Sequence, residues 1–260
     1  MDSSGRSSAL ALRPRPDWAL FLDIDGTILH LAETPDGVER SERVCRVLEA
    51  VLHCLRGAVA LISGRRIDDL DRLFAPHTLP AAGLHGLERR DARGIVYAQA
   101  ASETLDRLRL PLAHAARVNE GVILEDKGGA LAVHYRRSPE RAGEIRSLVD
   151  DLVRPFAGEL HVIHGKLVSE IKPRHADKGT AIREFMGEAP FVGHVPVFIG
   201  DDATDEDGFA CVNALDGHAI RVGSGADTIA RYSLAGVEEV VDWLEAWPSM
   251  LRRDFRSVGR

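Results

Sequence analysis

Four stretches of this chain run almost without a polar residue and then stop at a polar cluster. Trp18-Ala19-Leu20-Phe21-Leu22 ends in Asp23-Ile24-Asp25-Gly26-Thr27, and Ala58-Val59-Ala60-Leu61-Ile62 ends in Ser63-Gly64-Arg65. Leu79 to Leu84 ends in His85-Gly86-Leu87-Glu88, and Val195-Pro196-Val197-Phe198-Ile199 ends in Gly200-Asp201-Asp202. Runs that lack polar alternation read as strands covered on both faces, as in a parallel sheet between helices. Helical patterns lie between them. Ser41 can cap a helix carrying Val44, Val47, Leu48, Val51, Leu52 and Leu55 at helical spacing, with Gly57 beyond its end. Ile67, Leu70, Leu73 and Phe74 mark a second, shorter helix. Strand, helix, strand, helix, strand is the order of an α/β protein with a parallel sheet.

The pattern changes near residue 101. A helical segment over 102–117 precedes two alternating runs, Val122 to Lys127 and Leu131 to Arg136, joined by Gly128-Gly129. Paired glycines between such runs signal a hairpin. A helix over about 139–154 leads to runs at 159–164 and 167–172 around Gly165-Lys166. Helix, hairpin, helix, hairpin is an α+β module. The α/β pattern resumes with Asp177-Lys178-Gly179-Thr180 opening a helix, and a last helix over about 237–247 carries Trp243, Leu244 and Trp247. The expected organisation is a tail over 1–16, a Rossmann-like core over 17–100 and 174–260, and an inserted cap over 101–173. Ser, Arg and Pro dominate the first sixteen residues, which read as disordered and carry no apolar signal-peptide segment.

Composition narrows the function classes. A net charge of −7 argues against a nonspecific nucleic-acid binder. No apolar run approaches the ~20 residues that span a bilayer. Cys45, Cys54 and Cys211 are scattered and lack metal-ligand spacing, which suits a reducing compartment and a cytoplasmic protein.

The polar clusters carry the chemistry. Asp23 and Asp25 sit at a turn, where Gly26 allows backbone angles closed to other residues. Strand ends of an open α/β sheet converge on one crevice. Two close carboxylates repel unless a cation or a shared proton relieves them, and an oxygen-only ligand set suits Mg²⁺. One carboxylate can be a nucleophile and the other an acid/base. Ser63 offers a hydroxyl, Lys178 a cation at a helix start, and Asp201, Asp202 and Asp205 further carboxylates. A cation there opposes the helix dipole, so a bound anion would explain Lys178. Together this is an inventory for transferring a phosphoryl group to water.

The four clusters resemble the motifs of the haloacid dehalogenase superfamily: Asp23-Ile24-Asp25-Gly26-Thr27, then Ser63, then Lys178, then Gly200-Asp201-Asp202 with Asp205. Within it the chain is most similar to the trehalose-6-phosphate phosphatase family. Leu61-Ile62-Ser63-Gly64-Arg65, Ala82-Gly83-Leu84-His85-Gly86-Leu87-Glu88, Glu125-Asp126-Lys127-Gly128, His134-Tyr135-Arg136 and Glu170-Ile171-Lys172-Pro173 carry that similarity, which runs from about residue 17 to 247. The resemblance implies catalysis by Asp23, Asp25, Ser63 and Lys178. It implies Mg²⁺ held by Asp23, the Asp25 main-chain oxygen and Asp201, with Asp202 and Asp205 in support. It implies a sugar phosphate bound by Ser63, Gly64, Arg65, His85, Glu125, Lys127, Arg136 and Glu170.

The cap residues are readable by themselves only in part. Glu125 and Lys127 are two apart on one expected strand, as are His134 and Arg136 on its partner, so each pair shares a face. Such a face suits sugar hydroxyls and phosphate, and equally a solvated sheet with cross-strand ion pairs. The resemblance decides for the sugar. Two rivals stand beside this reading: another sugar-phosphate phosphatase or phosphomutase, and a non-catalytic Mg²⁺-dependent binding module. A small-molecule partner is expected, with neither nucleic acid nor membrane. The sequence leaves the oligomeric state open, a monomer being favoured.

Overall fold

The computed structural model describes residues 6–31, 38–98, 103–165, 167–224 and 227–257. In chain order the elements are β1 (Ser7–Ser8), β2 (Trp18–Leu22), α1 (Glu42–Cys54), β3 (Val59–Ile62), α2 (Ile67–Phe74), β4 (Ala81–Gly83), β5 (Glu88–Arg90) and β6 (Val96–Ala98). Next come α3 (Glu103–Val118), β7 (Ile123–Asp126), β8 (Leu131–His134), α4 (Ala142–Val153), β9 (Leu160–Gly165) and β10 (Val168–Pro173). The chain closes with α5 (Lys178–Met186), β11 (Val195–Gly200), α6 (Glu206–Ala214), β12 (His218–Val222), β13 (Tyr232–Leu234) and α7 (Val237–Ser257). It divides into two compact units, 1–97 with 177–260, and 98–176.

The first unit is built on one sheet in the order β1-β13-β12-β11-β2-β3-β4-β5-β6. Every step from β1 to β4 is parallel, and β5 turns back antiparallel to β4. All five residues of β2 are buried. Trp18 meets Trp247 of α7 at a ring separation of 5.5 Å, while Phe21 meets Phe185 of α5 at 6.0 Å. Residues three apart on a strand point to opposite faces, so helices cover both sides of β2. The chain leaves β2 for β3 on one side and returns with β11 on the other. The carboxyl end of β2 is therefore a topological switch point, the place where open α/β sheets bind ligands. This is the expected α/β core.

Helix starts follow their caps. Ser41 accepts the Val44 N–H at the head of α1, and Asp177 accepts the Thr180 N–H at the head of α5. The tail expectation needs correction. Residues 1–5 lie outside the described residues, but the stretch 6–16 is ordered. Ser7 and Ser8 pair with Tyr232 and Ser233, Ser8 caps a short 3₁₀ turn, and Ala9 is fully buried in the main core. One buried methyl and an edge pairing anchor a segment whose composition alone reads as disordered. Residues 32–37 of the expected loop and Lys166 of the second hairpin turn lie outside the described residues.

The second unit is a four-stranded antiparallel sheet, β7-β8-β10-β9, with its own core under α3 and α4. Leu105, Leu108, Leu112, Ile145, Val149 and Val153 of the helices meet Leu131, Val133 and Ile171 of the sheet. Ala132 of β8 lies opposite both Glu125 of β7 and Glu170 of β10, so the three share the other face.

Candidate active site

β2 delivers Asp23 into a nearly closed site, 4% exposed. Its N–H donates to the Ile199 carbonyl on β11, which fixes the end of the strand. The chain then turns tightly: the N–H groups of Thr27, Ile28 and Leu29 all reach the Ile24 carbonyl. Gly26 has φ +87, and a Cβ there would lie 2.2 Å from Asp201 Oδ2. The glycine thus lets the Asp201 carboxylate lie against the Asp23–Thr27 turn. Buried Thr27 donates from Oγ1 to Asp23 Oδ2 at 3.1 Å and approaches Asp201 Oδ1 at 3.4 Å.

Lys178 closes this network. Its Nζ donates to Asp23 Oδ1 at 2.8 Å and Asp205 Oδ1 at 2.6 Å. The two carboxylates are the anions that explain a lysine at a helix start. Gly179 makes the approach possible, because a Cβ there would lie 2.3 Å from the Asp207 carbonyl on α6. The other oxygen of Asp205 accepts the N–H groups of Asp201 and Asp202 at 2.8 and 2.9 Å. Asp202 instead caps the following turn, accepting from Thr204.

A second group lies at the end of β3. Ser63 is buried, and its Oγ accepts the Arg65 N–H at 3.1 Å. Arg65 faces Asp25 squarely, with Nε donating to Oδ2 at 2.6 Å and Nη2 to Oδ1 at 2.7 Å. The sequence places Arg65 among the substrate-binding residues; the structure gives it a carboxylate partner. His85, with φ +55, lies against Gly64, where a Cβ would come within 2.6 Å of Nε2.

In the second unit His134 Nε2 and Glu125 Oε2 are 2.8 Å apart, and Lys127 Nζ lies 3.6 Å from Glu170 Oε1. The hydrogen bond with His134 holds the Glu125 carboxyl below its ordinary range. The expected pairing of faces needs a correction. Lys127 and Arg136 lie beyond the ends of β7 and β8, so strand alternation does not orient them. Arg136 is exposed, and Tyr135 beside it is buried with its hydroxyl donating to the Val168 carbonyl at 3.2 Å.

The family profile of the trehalose-phosphatases matches residues 21–238. The chain belongs to the trehalose-phosphatase family. It is 45% identical over 207 residues to a probable trehalose-phosphate phosphatase of Sinorhizobium fredii, covering 80% of this chain and 78% of the relative. It is 40% identical over 237 residues to the trehalose-6-phosphate phosphatase of Escherichia coli, covering 91% and 88%. Among solved structures, the C-terminal domain of the Candida albicans trehalose-6-phosphate phosphatase superposes with a TM-score of 0.79 at 20% identity, covering 90% of this chain and 93% of that one, a likeness of fold.

The electrostatics of this trehalose-phosphatase site fit a divalent cation. Carboxylate oxygens of Asp23, Asp201 and Asp205 all lie within 4.8 Å of one another. Burial pushes Asp23 up to about 7 against the pull of Lys178, and Asp205 likewise to about 7. Burial, then Asp205 and Asp202, push Asp201 up to about 6. Asp202 stays below its ordinary range: burial opposes this, and the Lys178 charge and the Thr204 hydrogen bonds outweigh it. Lys178 stays charged, because its carboxylate partners outweigh burial. Once deprotonated, the three carboxylates outnumber the one ammonium, an excess of negative charge that a divalent cation would balance. The donors are all oxygen, the set hard cations take. Asp205 accepts three hydrogen bonds, two main-chain N–H groups on Oδ2 and the Lys178 ammonium on Oδ1, whereas each Asp23 oxygen accepts one and keeps a lone pair, so Asp23 and Asp201 are the carboxylates with more room for an ion. Thr27 is the residue sequence reasoning passed over; its place four after Asp23, inside the turn, was the available signal.

Proposed function

We propose that this chain is a Mg²⁺-dependent phosphatase that hydrolyses trehalose 6-phosphate to trehalose and phosphate. Family membership supports the reaction class and the substrate. The observation that carries the mechanism is the Asp23 carboxylate, buried and held at both oxygens by Lys178 and Thr27 beside Asp201. Such fixing pre-pays the orientation that in-line attack needs.

Asp23 attacks phosphorus; an Asp23–phosphorus bond forms as the bond from phosphorus to the sugar oxygen breaks. Asp25, carrying a proton on one oxygen that Arg65 releases as substrate binds, gives it to the sugar oxygen, and trehalose leaves. Asp25 then takes a proton from water as the water attacks phosphorus, and the bond to Asp23 breaks. Asp23, Asp201 and the Asp25 main-chain carbonyl would hold Mg²⁺, with Asp205 and Asp202 shaping the loop that carries Asp201. When bound, the ion supplies charge stabilisation at the phosphoryl oxygens. Ser63, Gly64, Arg65 and His85 flank the phosphate position, and Lys178 keeps Asp23 aligned. Glu125, Lys127, Arg136 and Glu170 read the sugar. No helix among the described residues is long and apolar enough to cross a membrane. The free thiols Cys45, Cys54 and Cys211 fit a cytoplasmic setting.

The test is phosphate release from a panel of sugar phosphates, with and without Mg²⁺. Trehalose 6-phosphate should exceed the monosaccharide phosphates, and chelation should silence all of them. Equal rates across the panel would remove the substrate assignment, and no release at all would remove the phosphatase.

A further inference from the structure

The turn that carries Ser63, Gly64 and Arg65 is held from outside. α2 starts at Ile67, and its N-cap, Arg66, makes no side-chain bond to the helix's first N–H groups. The missing acceptor is Glu88 at the start of β5, whose Oε1 accepts the Ile67 N–H. Burial pushes the Glu88 carboxyl up, and the Ile67 N–H pulls it back. Glu88 and the turn also pack against the same glycine: a Cβ on Gly83 would lie 2.5 Å from Glu88 Oε1 and 2.8 Å from the Arg65 carbonyl.

The rest of the 82–88 stretch completes the cradle. Ser63 N–H donates to the Ala82 carbonyl, His85 N–H to the Ser63 carbonyl and Leu84 N–H to the Arg65 carbonyl, each at 2.9 Å. Leu84 and His85 both adopt left-handed backbone, φ +50 and +55, a conformation non-glycine residues hold only under constraint. These bonds fix the entry and middle of the turn, and Glu88 fixes its exit. What the turn delivers is Arg65, which meets both oxygens of Asp25.

We propose that Glu88 is a positioning residue for phosphoryl transfer: by capping α2 it sets how Arg65 leaves the turn, and so where Asp25 is held. The inference rests on Asp25 being the proton-transfer group. Glu88 need touch no substrate.

The test is a double-mutant cycle on the full chain with saturating Mg²⁺, using Glu88→Ala, Glu88→Gln, Arg65→Ala and Glu88→Ala with Arg65→Ala. Each is assayed on trehalose 6-phosphate and on 4-nitrophenyl phosphate. Glu88→Ala should lower kcat about tenfold with KM changed less than about threefold, and in the Arg65→Ala background the same change should cost less than about twofold. Glu88→Gln, which keeps an acceptor oxygen for Ile67, should retain most activity. A loss from Glu88→Ala that is the same with and without Arg65 would mark a merely structural role and overturn the proposal. So would a Glu88→Gln as impaired as Glu88→Ala, or a Glu88→Ala equal to wild type. Should Glu88→Ala fail to fold, Glu88→Asp, one methylene shorter, takes its place in the cycle. If wild type cleaves the aryl phosphate alone, the trehalose 6-phosphate assignment falls while the cycle still reads on the aryl substrate. If wild type cleaves neither, the Asp25 role falls and this proposal with it.

Discussion

Lys178 and Asp23 lie far apart in sequence yet meet at 2.8 Å with almost no solvent between them. The same ammonium serves Asp205 at 2.6 Å. Removing the cation strands two buried carboxylates, whereas removing the Asp23 charge leaves Lys178 still paired. Lys178→Met should therefore destabilise the metal-free protein by ~3–5 kcal/mol, the usual cost of breaking a buried pair from one side. Asp23→Asn should cost far less stability and yet abolish turnover. Denaturant melts and phosphate release measure the two effects. An Asp23→Asn variant turning over within about tenfold of wild type would remove the covalent mechanism.

Mg²⁺ binding should be linked to pH with a definite sign. Asp23 and Asp205 are raised to about 7 and Asp201 to about 6 in the metal-free fold, above the unfolded carboxylate value. The folded state then binds more protons than the unfolded one across that window. The cluster's contribution to stability is fully present below the unfolded value of 3.8 and is lost progressively as pH rises from there through 6 to 7. A cation needs the deprotonated carboxylates. The rise in Tm on adding Mg²⁺ to chelated protein should be small near about pH 5 and larger near about pH 8. Equal shifts at both would rule out these residues as its ligands.

Gly26→Ala tests the close approach between the Asp turn and Asp201. The new methyl would lie 2.2 Å from Asp201 Oδ2 on a backbone at φ +87. Asp201 must move, so the Mg²⁺ concentration for half-maximal activity should rise about tenfold or more, the scale of a disturbed supporting contact at a metal site. Calorimetric titration with Mg²⁺ reads the same loss without turnover. Unchanged affinity would show that Asp201 is not a ligand.

Specificity should separate from chemistry. Glu170→Ala or Arg136→Ala should lower kcat/KM for trehalose 6-phosphate by at least about 30-fold, the low end of the ~2–5 kcal/mol lost when a charged contact that the bound sugar buries is truncated. An aryl phosphate has no disaccharide to read and should be cleaved much as before. Equal losses on both substrates would reject a sugar-reading role.

Much of this was legible in the sequence, and the exceptions have physical causes. Unbroken apolar runs can hardly be anything but buried strands, and the polar residues ending them fell together because the sheet is parallel. The β5–β6 ribbon was not legible, because Glu88-Arg89-Arg90 reads as a charged loop. Of its strand residues only Arg90 is buried, and it depends on partners outside the ribbon: Arg90 reaches Asp71 at 2.6 and 2.7 Å and the Leu79 carbonyl at 2.8 and 3.1 Å. β13 has three residues, too few for any period to show. α7 runs through Pro248 to Ser257, past the end that its tryptophans suggest. The partners of Lys178 and Arg65 were hidden for a different reason. Sequence shows which side chains can bond, and only the fold shows that carboxylates reach them first.

The sheet order also carries a timetable. β2 takes its hydrogen bonds from β3 on one side and β11 on the other, and β11 follows the whole 98–176 unit in the chain. During synthesis the strand bearing Asp23 therefore waits, half-paired, while the inserted unit is made with all of its own strand partners already in hand. Asp201 and Lys178, the groups that would balance Asp23, emerge only afterwards. A chain ending before residue 195 contains every strand of the antiparallel sheet but leaves β2 without its β11 partner, so the Asp23 site is among the last parts of this molecule that the sequence can complete.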